Sequence, residues 1–143
     1  MIEFDDFYGE YHGHKTRHLE QVRQALIATH GETPMVWFAG DSSLDNKYWV
    51  EETGKAHNGY HHILKEMKRD VAYHLNSFGI PTINTAVEAT GLRERLDNDL
   101  FPQDRYVREF IRPQDTLVVS VGGNDIALKP SASTIWNLSL IHI

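Results

Sequence analysis

Two short polar turns, each directly behind an apolar run, hold the residue types that could do chemistry. In the first, Met35–Ala39 ends at Gly40 and is followed by Asp41, Ser42 and Ser43. In the second, "TLVVSV" ends in Gly122, Gly123, Asn124 and Asp125. A serine hydroxyl becomes a useful nucleophile when a base takes its proton and donors stabilise the oxyanion that forms. Ser42 stands where a strand would end, so its Oγ would be presented at a sheet edge. The Asn124 carboxamide offers one donor. Gly91, a few residues behind the run Pro81–Val87, lets a ligand approach a backbone N–H closely. Taken singly, Asp41 and Ser42 are ordinary helix-capping residues, and "GGND" is an ordinary turn. Their recurrence behind successive apolar runs is what suggests a site.

The elements that must position these turns follow from the hydrophobic pattern. His14–His30 has Leu19, Val22, Ala25 and Leu26 at helical spacing, with Gly31 as a stop. Met35–Ala39 is a continuous apolar run, as in a strand buried on both faces of a parallel sheet. Tyr60, Ile63, Leu64, Met67, Val71, Leu75 and Phe78 recur at threes and fours, which predicts a long amphipathic helix over 57–78 closed by Gly79. Pro81–Val87 reads as a second strand, with short helices expected near Leu92–Asp97 and Arg105–Ile111. Thr116–Val121 reads as a third buried strand, and "PSASTIWNLSLIHI" as the opening of a helix. Residues 1–14 read as an irregular arm and "RLDNDLFPQDR" as an exposed loop. Strands alternating with helices predict an α/β fold with right-handed parallel crossovers. In such sheets ligands gather at the carboxyl ends of the strands, so the turns 40–43, 86–91 and 122–125 are expected to converge.

The length of 143 residues fits a single domain over 1–143. A formal net charge of −6 argues against a nucleic-acid partner. No apolar run is long enough for a membrane span, and the acidic, aromatic N-terminus is not a secretory signal. The cytoplasm is therefore the expected compartment. With no cysteine, thiolate chemistry and disulfides are excluded.

"AGDSSLDN" together with "SVGGND" resembles the SGNH hydrolase superfamily, also called the GDSL esterase/lipase family. Gly40, Asp41 and Ser42 match its first block. Gly122, Gly123, Asn124 and Asp125 match its Gly-x-Asn-Asp block, and Gly91 is the best match to the glycine of its second block. The resemblance spans roughly residues 35–133. It implies a three-layer α/β/α flavodoxin-like parallel sheet and hydrolysis of small-molecule carboxylic esters through an acyl-serine, without a cofactor. Ser42 would attack, while the Ser42 N–H, the Gly91 N–H and the Asn124 amide would hold the oxyanion. Asp41 and Asp125 are expected to fix their turns through backbone hydrogen bonds. The family's histidine base lies in an Asp-x-x-His block that this sequence lacks, and only three of about five strands can be found. The sequence therefore reads as truncated after the third strand, with hydrolysis weak or lost.

Nine histidines raise the question of metal. His14 with His18, and His57 with His61, are spaced to share a helical face, but neither pair is His-Glu-x-x-His and no third ligand is indicated. No metal is expected, although His57 or His61 could serve Ser42 as a substitute base. Trp37 is expected in the core. Tyr48 and Trp49 suit either the core or the wall of an acyl or sugar pocket, and Asp45 and Lys47 read as helix-start charges. Two alternatives to a hydrolase stand beside it. One is a small-molecule or carbohydrate binding module on the same fold. The other is a phosphate or nucleotide binder using the turns as anion nests, which the absence of a P-loop weakens.

Overall fold

A computed structural model describes residues 1–96, 100–128 and 130–140. The chain is mixed α/β, with a three-stranded parallel sheet flanked by helices. The sheet contains β1 (Val36–Gly40), β4 (Thr82–Asn84) and β5 (Thr116–Ser120) in the order β4-β1-β5. Val36 pairs with Thr82 on one side and Thr116 on the other, and the β1–β5 register runs on to Gly40 opposite Ser120. β1 is thus the central strand. Its Trp37 is fully buried, as its place inside a continuous apolar run implies.

Asp115 sets the start of β5 against β1. Its carboxylate accepts from the Met35 N–H (2.9 Å), the Trp37 indole (3.1 Å) and Arg112. At the other end Gly40 has φ +139°, and a Cβ there would lie 1.9 Å from the Ser120 carbonyl oxygen. Only glycine fits this approach of β1 to β5.

α2 (Thr16–His30) and α4 (Pro102–Phe110) pack on the sheet through Leu19, Val22, Leu26, Tyr106 and Val107. Residues 1–14 are not an irregular arm: α1 (Phe4–Tyr8) lies within them, and Phe7 and Tyr8 are core residues. The helix expected over 57–78 is replaced by several elements. A hairpin of β2 (Thr53–Lys55) with β3 (Glu66–Lys68) encloses a 3₁₀ turn at Tyr60–His62, and only Val71–Ser77 is helical, as α3. Asn58 and Gly59 take φ +53° and +100°, which no helix continues through. Asp70 starts α3 afresh by accepting from the Tyr73 N–H at 2.8 Å. Tyr60, Leu64 and Met67 all reach the core, but from different elements, which produces a helix-like spacing without a helix.

"RLDNDLFPQDR" is not simply an exposed loop either. Arg95 lies in a 3₁₀ turn (Leu92–Arg95), pairs with Asp104 at 2.9 Å, and both side chains are largely buried. Residues 97–99 lie outside the described part. β5 is the third departure: Leu117, Val118 and Val119 are exposed, because no strand among the described residues pairs with its outer edge and α4 covers it only in part, across an open cavity that Val107, Ile111, Leu117 and Val119 line. α5 (Gly123–Ala127) and α6 (Ala132–Leu140) follow.

Candidate functional site

The turn behind β1 is built by Asp41. Its backbone N–H donates to the Ser120 carbonyl at 3.0 Å, continuing the sheet ladder by one residue. Its carboxylate accepts from the Ser43 N–H at 3.0 Å, and its carbonyl accepts from the N–H groups of Leu44 and Asp45. The strand thereby bends at once into a single helical turn. The two serines fare differently. Ser43 Oγ donates to Ser120 Oγ at 2.6 Å. Ser42 is half-buried, and its side chain makes no hydrogen bond among the described residues. Of the two hydroxyls, Ser42 is the one left free for a ligand.

The second turn is joined to the first by three groups. The Val87 N–H donates to the Gly40 carbonyl at 2.9 Å. Arg95 uses its guanidinium fork on four acceptors: Nη2 donates to the Gly40 carbonyl (2.9 Å), Nη1 to Thr90 Oγ1 (2.9 Å) and the Gly91 carbonyl (3.2 Å), and Nε to Asp104. Asp45 is the third. Its Oδ2 accepts from the Glu88 N–H at 2.7 Å, while its Oδ1 holds Lys47 Nζ at 2.6 Å. Asp45 and Lys47 are not helix-start charges. They form an ion pair of which at most 1% of either side chain is exposed. Burial raises the Asp45 carboxyl above its usual range, opposed by the Lys47 ammonium beside it.

The third turn closes on the second. Asn124 Nδ2 donates to the Thr90 carbonyl at 2.9 Å. The Asp125 carboxylate accepts from the N–H groups of Leu92 (2.6 Å) and Arg93 (3.3 Å), and these bonds, the Leu92 one foremost, hold it below the usual carboxylate range. A Cβ on Gly91 would stand 3.0 Å from Asp125 Oδ1, so the turn passes Asp125 closely. Gly122 takes φ +109° at the start of α5. Gly40 and Asp41, Gly91, and Asn124 and Asp125 therefore lie on three turns linked by hydrogen bonds, the first of which also carries Ser42.

The donors expected to face Ser42 have partners of their own. The Gly91 N–H donates to Glu94 Oε2 at 2.7 Å, and one Asn124 amide hydrogen is taken by Thr90. The second hydrogen on Asn124 Nδ2 has no partner among the described residues. Neither expected substitute base reaches Ser42: His57 lies against the Lys55 and Tyr73 carbonyls, and His61 accepts from the Gly59 N–H. His14 and His18 pack on Phe7, and burial pushes His14 down to about 3. Among the described residues, no group of three His, Asp or Glu side chains is arranged to hold a metal ion.

Sequence reasoning missed Glu88, Glu94 and Arg95, which share the second turn with Gly91. Only Glu94 carried a signal, as an acid three residues after a turn glycine. Compared with protein-family models, with curated proteins and with solved structures, the chain matches none. No helix among the described residues is long and apolar enough to cross a membrane.

Proposed function

We propose that the chain is a serine hydrolase of the SGNH type, built on a flavodoxin-like α/β/α sheet and acting on carboxylic esters. The observation that carries this reading is the joining of the three turns. The Ser42 hydroxyl, unpartnered among the described residues, stands on a turn bonded to the one that presents the Gly91 N–H, and Asn124 is bonded to that same turn. Ser42 Oγ would attack the acyl carbon and lose its proton to water. The tetrahedral intermediate would then break its bond to the ester's alkoxy oxygen, which leaves as the alcohol, and water would later hydrolyse the acyl-serine. The Ser42 and Gly91 N–H groups and the remaining Asn124 amide hydrogen would receive the oxyanion, with Glu94 yielding its place on Gly91 to that anion. Loss of one such donor costs about 3 kcal/mol of barrier lowering. Among the described residues no base touches Ser42, so turnover is slow while acylation of Ser42 remains the specific event.

A second reading is a binding module that keeps the crevice. The occupation of the Gly91 N–H by Glu94 favours it. Incubation with 4-nitrophenyl acetate, acid quenching and peptide mapping separates the two. The hydrolase reading predicts an acetyl group on Ser42 that is absent from Ser42→Ala. Acetylation spread over lysines, with none on Ser42, supports the binding module.

A further inference from the structure

A second constellation is formed between the loop that follows Ser42 and the segment that follows α1. Trp49, Tyr48, Tyr11 and His12 form an unbroken strip of edge-to-face rings, with centroids 5.3, 5.1 and 4.9 Å apart in that order. Trp49 is 64% exposed and Tyr48 51%. Beneath the strip lies Glu88, only 5% exposed, whose Oε2 has no hydrogen-bond partner among the described residues. The Tyr11 hydroxyl and the Trp49 indole both hydrogen-bond with that carboxyl, which burial raises above its usual range, so Oε2 alone is the acceptor left over. Asn46 Oδ1 is a second buried acceptor without a partner. Next to the strip, His12 borders a pocket of about 400 Å³, which Val87, Thr90 and Phe101 also line. Thr90 is the residue whose carbonyl Asn124 holds, so the pocket adjoins the turn that carries Asn124.

We propose that this strip is a binding site for a carbohydrate chain. A buried acceptor left without a donor is costly, and a ligand that brings hydroxyl hydrogens relieves that cost. Exposed tryptophan and tyrosine faces suit the C–H faces of a pyranose ring, burying its apolar side while its hydroxyls stay at the polar rim. An acyl chain would bring no donor to the Glu88 Oε2 and Asn46 Oδ1 acceptors. A quaternary ammonium needs a gap between ring faces, but here each ring edge closes on its neighbour. Lys47, already paired with Asp45 below, adds positive charge near Glu88. The inference deepens both readings of the serine site: an acylated saccharide would be the hydrolase's substrate, and a saccharide the binding module's ligand.

The test is a titration of the Ser42→Ala protein followed by amide chemical shifts of Asn46–Val50 and Glu88, with pentasaccharides of xylose, glucose and mannose, and with choline. At least one sugar should give saturable shifts at these positions. Trp49→Ala should weaken that binding at least about ten-fold and Trp49→Phe should largely restore it. Trp49 is solvent-facing, so an unchanged melting temperature separates lost binding from lost folding. Shifts with choline only, with no sugar, or with a sugar but insensitive to Trp49→Ala would overturn the proposal. Because the titration uses a protein that cannot acylate, its failure leaves the acetyl-Ser42 experiment intact, and the reverse also holds.

Discussion

The two neighbours of β1 differ in fate. Thr82, Ile83 and Asn84 of β4 are all buried, while Leu117, Val118 and Val119 of β5 are exposed. Both strands pair with β1 through the same parallel ladder, in matching register. The difference lies in what surrounds them. On the β4 side, Asn84 donates to the Leu44 carbonyl, Tyr60 and Asn76 both donate to the Thr82 carbonyl, and the Asp45–Lys47 pair lies below the serine turn. On the β5 side α4 gives only partial cover, across an open cavity. A β-branched apolar run thus specifies pairing through its backbone, whereas its burial depends on neighbours that the run does not encode.

The largest expected effect belongs to the crowded side. Asp45→Ala leaves the Lys47 ammonium buried and unpaired, and should cost about 3–5 kcal/mol in urea unfolding. The double change Asp45→Leu with Lys47→Met should recover most of that loss. A single variant as stable as the wild type would mean that the pair is not buried in solution.

Next comes Gly40→Ala. Its Cβ cannot coexist with the Ser120 carbonyl in the present register, so β1 and β5 must separate at that end. A loss of about 2–3 kcal/mol is expected, together with faster amide exchange at Asp41, whose N–H bonds that carbonyl. Unchanged exchange at Asp41 would argue against the β1–β5 junction.

Acid provides a graded test of the same packed side. His14 donates from Nδ1 to the Phe7 carbonyl at 2.9 Å, and burial lowers its pKa from 6.5 to about 3. Its folded pKa lies below the unfolded one, so the unfolded chain takes up the proton first. Stability from this group is therefore lost as pH falls from about 6.5 toward 3. His14→Asn should flatten that part of the stability profile, read by chemical denaturation at pH 7, 5.5 and 4.5. Asp70 acts oppositely: burial raises it to about 6, so its contribution falls as pH rises from 3.8 to about 6.

The smallest effect is expected at β5. Val119→Lys should change stability by no more than about 0.5 kcal/mol, because the side chain already meets solvent. It should also reduce self-association in sedimentation, as a charge on an open edge does. A large destabilisation would show that β5 is covered in solution.

What could be read from the sequence follows the same division. α2 and the three parallel strands were legible because each is a local pattern: an apolar stripe, or a β-branched run stopped by small residues. The turns carrying Ser42 and Asn124 were legible because residue type and position behind a strand suffice. The 57–78 segment was misread because Leu64 and Met67 keep a helical interval across a hairpin. The Asn58–Gly59 dipeptide, a turn signal, and Asp70, a fresh cap, were the marks against a helix. The Asp45–Lys47 pair was illegible, since charges two residues apart on a loop ordinarily face solvent. The roles of Arg95 and Glu88 were equally hidden, because their partners come from other turns.

The central claim is that the three turns meet so as to make one hydroxyl uniquely reactive, and covalent labelling tests it most directly. A fluorophosphonate probe, followed over hours and mapped by tandem mass spectrometry, should modify Ser42 and neither Ser43 nor Ser120. Asn124→Ala should slow that modification about 100-fold. Modification divided among these serines, or a rate at Ser42 unaffected by Asn124→Ala, would contradict the account.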